Sequence, residues 1–139
     1  MATSTSGNSR RFPPELLESL GFIQLLAEDK EKGSARVQYN ARPAWAHSGG
    51  TTIQGGFVTA WLDNCMAFAI AARLPDTGSA SLEIKVSFLD RTAPGTVTAE
   101  ARIRREGGSV AFLEADLFAE DGRLLATATS TVKLMRPKG

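Results

Sequence analysis

An aspartate stands in the middle of an apolar run. Phe57, Val58, Ala60, Trp61 and Leu62 precede Asp63, and Cys65, Met66, Phe68 and Ile70 follow it. Removing an unpartnered carboxylate from water costs on the order of several kcal/mol. A helix that only had to fill a core would carry Ala or Leu at that position. Asp63 is therefore a candidate general base or nucleophile. The alternative is a structural hydrogen bond or a place at a solvent-filled interface.

Gly55-Gly56 opens the same run, with Gly56 seven residues before Asp63. Seven residues are about two helical turns, so Gly56 and Asp63 fall on one side of a helix. The first N–H groups of a helix have no internal partner, and its dipole makes that end positive. Without side chains there, a substrate carbonyl can approach the backbone and find an oxyanion hole. Two glycines also serve as a plain loop-to-helix turn. The single histidine, His47, lies in the preceding loop beside Ser48, and either lines a site or is an ordinary loop residue. Cys65 is two residues from Asp63, about 200° around the helix, and a buried cysteine is usually inert packing.

These residues need a frame. Phe57–Arg73 contains no Gly or Pro, is rich in Ala and stops at Leu74-Pro75, which predicts one long helix. It is apolar on nearly every face, so it is predicted to be buried. A short helix is expected after Pro13-Pro14, ending near Gly21. Strands are expected over Phe22–Leu26 and Ser34–Tyr39, and Asn40–Ile53 reads as an irregular, functional loop. Strict alternation, as in Leu82, Ile84, Val86 and Phe88, predicts further strands from Ser81 to Leu134, turning at Gly107-Gly108 and Asp121-Gly122. The economical arrangement is α+β: an antiparallel sheet of five or six strands curled around one central helix. Such a sheet leaves an edge, which pairing with a second copy would cover.

The run from Ile53 to Asn64 resembles the helix signature of hot-dog thioesterases of the phenylacetate-pathway (PaaI-like) type: His or Gln, Gly, Gly, six residues, then Asp or Glu. The strands downstream are also similar, so the resemblance spans about Ser34 to Leu134. It implies a hot-dog fold and hydrolysis of an acyl-CoA, with Asp63 as general base or nucleophile. It also implies the oxyanion N–H at Gly55 with Gly56 beside it, and an active site shared between subunits of a homodimer or a homotetramer built as a dimer of dimers. Gln54 replaces the more frequent histidine; its amide can donate to a carbonyl oxygen but cannot carry a proton near neutral pH. Ser48 or His47 stands where many members have an amide side chain. Ser81 corresponds to a Ser or Thr that orients water in some relatives; a plain strand serine is the alternative. Trp61, Phe57, Phe68 and Trp45 either line an acyl pocket or belong to the core. Arg104, Arg105, Arg91 and Arg136 are candidate contacts for the CoA phosphates; a solvated surface charge is the alternative for each.

Length and composition bound the rest. The 139 residues make one domain, expected over 11–139, behind a disordered tail at 1–10. Sixteen basic residues against fifteen acidic ones argue against a nucleic-acid binder or a polybasic membrane patch. One cysteine and one histidine leave no metal site and no disulfide, and no cofactor is implied. No signal peptide or spanning segment is evident, which predicts a cytoplasmic protein. Two rivals stand beside the thioesterase. One is a hot-dog enoyl-CoA hydratase or dehydratase, which would use a histidine with an acid. The other is a non-catalytic acyl-CoA-binding protein.

Overall fold

The computed structural model describes residues 12–137. The expected tail at 1–10 lies outside them. Helix α1 spans Pro14–Ser19, with proline at its first turn. Gly21 follows at φ +71°, and a Cβ there would clash with the Asn40 carbonyl oxygen. This glycine lets the chain double back against the strand that carries Asn40.

Strand β1 covers Phe22–Asp29 and β2 covers Ser34–Ala41. They form an antiparallel hairpin closed by Gly33, again at positive φ. The segment expected to be irregular is partly ordered. A 3-10 turn at Pro43–Trp45 leads into a small hairpin, β3 (Ala46–His47) with β4 (Thr52–Ile53). Then come the long helix α2 (Gly55–Arg73) and strands β5 (Gly78–Phe88), β6 (Gly95–Glu106), β7 (Val110–Ala119) and β8 (Leu124–Met135). Strand β5 starts three residues before Ser81, so Ser81 sits inside a strand rather than at its start.

Six strands form one antiparallel sheet in the order β1-β2-β6-β7-β8-β5, and α2 lies in its concave face. This is the expected hot-dog arrangement. The strands supply small inward residues, among them Ala35, Ala41, Ala99, Ala101, Ala115 and Ala128, all buried. The helix supplies the large ones: Trp61, Leu62, Met66, Phe68 and Ile70, each at most 1% exposed. Small against large brings a 19-residue helix close to the sheet and fills the space at the density of a protein interior. The outer face of the sheet carries charge pairs such as Arg36–Glu100 and Arg102–Glu114, exposed pairs that add little stability.

The helix is not buried on every face. Gly56 is exposed, and Ala60, Asp63 and Ala67 are half-buried, forming an open stripe along one side. The sequence concealed this stripe because Gly and Ala count as apolar yet cover little area. By length and a mean hydropathy of 1.2, α2 could cross a membrane, although only a short stretch within it is continuously apolar. Here the sheet encloses it, as befits a core helix.

Candidate active site

The middle of α2 carries the densest polar constellation. Ser81 Oγ donates to Asp63 Oδ1 at 2.6 Å. Two features aim Ser81 there. It pairs with Val132 on β8, so it stands on the helix side of the sheet, although the protomer leaves it exposed, and the register slips immediately after it, before Glu83 meets Thr131. A bulge of this kind redirects side chains next to it. Asp63 Oδ2 accepts no hydrogen bond among the described residues. Both residues border a cavity of about 420 Å³ between α1, α2 and β5, walled chiefly by Phe12, Leu16, Leu20, Met66, Ile70 and Val132. The cavity is thus largely apolar, with one carboxylate, the Asn64 amide and the Ser79 and Ser81 hydroxyls in its wall, which suits an acyl pocket with a reacting group.

Asp63 itself is half-buried in the protomer. The expectation of a carboxylate withdrawn from water is corrected to that extent: it stands on the open stripe, where Ala60 and Ala67 screen it little. The polar residue that α2 does bury is the next one, Asn64, at 8% exposure. Its Oδ1 accepts the Tyr39 hydroxyl at 2.6 Å. Burial, with Cys65 and Asp63 nearby, holds the Tyr39 phenol well above its ordinary pKa, so it remains a donor. Burial likewise pushes the Cys65 thiol up, and its Sγ lies 3.6 Å from the Ala35 carbonyl oxygen; it is packing, not a nucleophile.

The start of α2 is a second station. Gln54 caps the helix, its Oε1 accepting the Gly55 N–H at 2.9 Å. A Cβ on Gly55 would approach the Phe88 ring at 3.2 Å, whereas one on Gly56 would meet nothing within 4 Å. In the protomer the open backbone donor is thus Gly56, and Gly55 is occupied by its neighbour's side chain. A cavity of about 540 Å³ lies here, bordered by His47, Gly55, Phe88, Asp90 and Arg91. His47 is exposed, with Nδ1 2.9 Å from Ser48 Oγ, and Ser48 adopts φ +55° in the β3–β4 turn. His47 therefore borders the helix start and not the Asp63 cavity.

Two sets of expected contacts fall elsewhere. Trp61 is fully enclosed: its ring stacks on Tyr39 at 5.9 Å between centroids and its Nε1 donates to Leu20 O at 2.7 Å. It holds the end of α1 and has no surface to offer a ligand, which corrects its assignment to substrate binding. Phe68 is core as well, stacked on Phe12 at 4.3 Å. Arg104 and Arg105 lie at the far end of β6, alongside Leu113 and Phe112 of β7. Arg104 is within 3.5 Å of Glu114. Arg136 is engaged by Glu106 and the Gly107 and Gly108 carbonyls. Of the four arginines, Arg91 is the one that borders the helix start.

The Tyr39–Asn64 pair escaped the sequence reading. Its signal was present: Asp63-Asn64 is a polar doublet inside an apolar helix. The charge is the louder half of that doublet, but an uncharged amide can also be buried for a reason.

A profile described as Thioesterase superfamily matches residues 50–126. A phenylacetic acid degradation-related protein from Ralstonia eutropha is 32% identical, with 94% of this chain and 97% of that one covered and a TM-score of 0.82. The phenylacetic acid degradation protein PaaI from Thermus thermophilus, solved as a mutant, is 26% identical over 88% of this chain and 99% of its own, with a TM-score of 0.74. The E. coli PaaI protein, 18% identical with a TM-score of 0.82 and 98% and 94% covered, shares the fold.

Proposed function

The chain belongs to the thioesterase superfamily and is a thioester hydrolase; from that premise we propose that its substrate is an acyl-CoA and that Asp63 is the reacting carboxylate. The observation that carries this reading is the Ser81–Asp63 hydrogen bond in the wall of an apolar cavity. Ser81 fixes one carboxylate oxygen and leaves Oδ2 to act. As a base, Oδ2 takes a proton from water while the water oxygen attacks the thioester carbon; the C–S bond then breaks and CoA leaves as the thiol. As a nucleophile, Oδ2 attacks the same carbon, releases CoA and leaves a mixed anhydride for water to open.

The carbonyl oxygen needs donors, and the start of α2 supplies them. Gly56 N–H is open, and Gly55 N–H becomes free when the Gln54 side chain turns outward, where its amide can add a further donor. Gly55 and Asp63 are eight residues apart on one straight helix, about 12 Å along its axis. A carbonyl carbon and its oxygen cannot span that distance, so Asp63 of one copy must work with the helix start of another. Strand β5 supports such pairing. It is an edge of the sheet, and Leu82 and Phe88 on it are 58% and 56% exposed. A homodimer joined along β5, doubled into a tetramer, is the assembly we infer. We also place the protein in the cytoplasm, with Arg91 beside the CoA phosphates.

A hydratase reading would need a histidine working with the acid; His47 is exposed with its Nδ1 against Ser48 Oγ, and an assay of enoyl-CoA hydration separates that reading from the hydrolase. The test is hydrolysis of a panel of short, medium, long and aryl acyl-CoAs by wild type and by Asp63→Asn, with thermal melting to verify folding. Turnover by wild type that survives intact in the variant refutes Asp63; tight binding without turnover by wild type refutes the acyl-CoA hydrolase.

A further inference from the structure

Asn64 is more than nine-tenths buried, and it borders the same cavity as Asp63. Its two ends are treated differently. Oδ1 is held by the Tyr39 hydroxyl at 2.6 Å, much closer than that hydroxyl's other acceptor, Trp61 O, at 3.4 Å. The single phenolic hydrogen therefore goes to Asn64. That bond fixes the amide plane from the core side. The Nδ2 group carries two hydrogens and donates to no partner among the described residues. A buried donor left without an acceptor is costly, and natural proteins rarely keep one unless something else completes it. Packing alone gives no reason for an amide here, because Leu or Met would fill the position.

We propose that Asn64 is a specificity-determining residue, whose amide donates to an oxygen carried by the acyl group on its third or fourth carbon. The inference rests on the reading that the acyl group enters this cavity. Its reach follows from the cavity: Asn64 is one residue after Asp63, turned about 100° around α2 yet lining the same cavity, so an oxygen a few carbons from the thioester is the one within its range. The ligand class is a hydroxy- or keto-acyl thioester, in preference to its unsubstituted analogue. The preference arises because the plain chain leaves Nδ2 unpaired and displaces any water that had satisfied it. Tyr39 acts as a positioning residue through Asn64.

The experiment compares kcat/KM for hexanoyl-CoA with those for 3-hydroxyhexanoyl-CoA and 4-hydroxyhexanoyl-CoA. Wild type is expected to favour one hydroxylated substrate by about tenfold or more, the worth of one buried hydrogen bond. In Asn64→Leu that ratio falls toward one, and in Tyr39→Phe, which frees the amide to rotate, it falls partway. Asn64→Leu strands the Tyr39 hydroxyl, so the double variant Tyr39→Phe with Asn64→Leu, which removes both partners, serves if the single variant fails to fold. A wild-type ratio near or below one, or a ratio that survives in the folded variants, overturns the proposal while leaving the hydrolase reading intact. Failure of wild type to hydrolyse any of the three substrates, or the rest of the panel, overturns both.

Discussion

At the middle of α2 the polar side chains are tied down; at its start the polar groups stand open. Asp63 is held by Ser81, and Asn64 by Tyr39, each at 2.6 Å. Gly56 has nothing near it, His47 and Ser48 touch chiefly each other, and Gly55 is capped only by a side chain that can swing away. The wired station resembles a place where one atom must be aimed. The open one resembles a place where something must arrive. On the proposed mechanism a single protomer holds two halves of the reaction on one helix, about 12 Å apart, and rigidity keeps them apart.

The sharpest way to break that comparison is at the wired end. Asp63→Ala, with the fold retained, is expected to lower kcat by about a thousandfold or more, the scale of a lost general base or nucleophile, measured with a thiol-trapping dye. The division between copies is tested by complementation. Asp63→Asn and Gly56→Val should each be inactive alone. Co-refolded together, they should recover up to about a quarter of wild-type activity, since half of randomly mixed dimers carry one intact site. No recovery from a mixture shown to contain heterodimers would place both halves in one chain.

Smaller effects refine the picture. Ser81→Ala removes a charge-assisted hydrogen bond and is expected to cost about tenfold in kcat with KM little changed. A ratio of unity would make Ser81 an ordinary strand residue. Arg91→Ala should raise KM severalfold for an acyl-CoA but not for the matching acyl-pantetheine, which lacks the phosphates. Gln54→Ala removes the α2 cap and should lower stability by about 1 kcal/mol in urea unfolding. If Gln54 also donates to the carbonyl oxygen, kcat falls with it.

Much of the frame was legible. The long helix, the alternating strands and the turns at Gly107-Gly108 and Asp121-Gly122 follow from local chemistry, because period, glycine and proline act over a few residues. The polar doublet Asp63-Asn64 was visible too. What could not be read was which of the two the fold would bury. Facing direction depends on which side of α2 the sheet covers, and that covering comes from residues such as Tyr39, distant in the chain. Trp61 and Phe68 were ambiguous for the same reason: an aromatic residue reads alike in a core and in a pocket. Arg91 and Arg104 were equivalent as letters until the sheet put them at opposite ends of the helix.

The sequence by itself determined the element types, the glycine-led helix and the presence of an acid within it, because these are written in neighbouring residues. Only the tertiary structure decided that Ser81 meets Asp63 and that Tyr39 pins Asn64. Those are relations between segments joined by long connections, and the packing of a common core sets their distances.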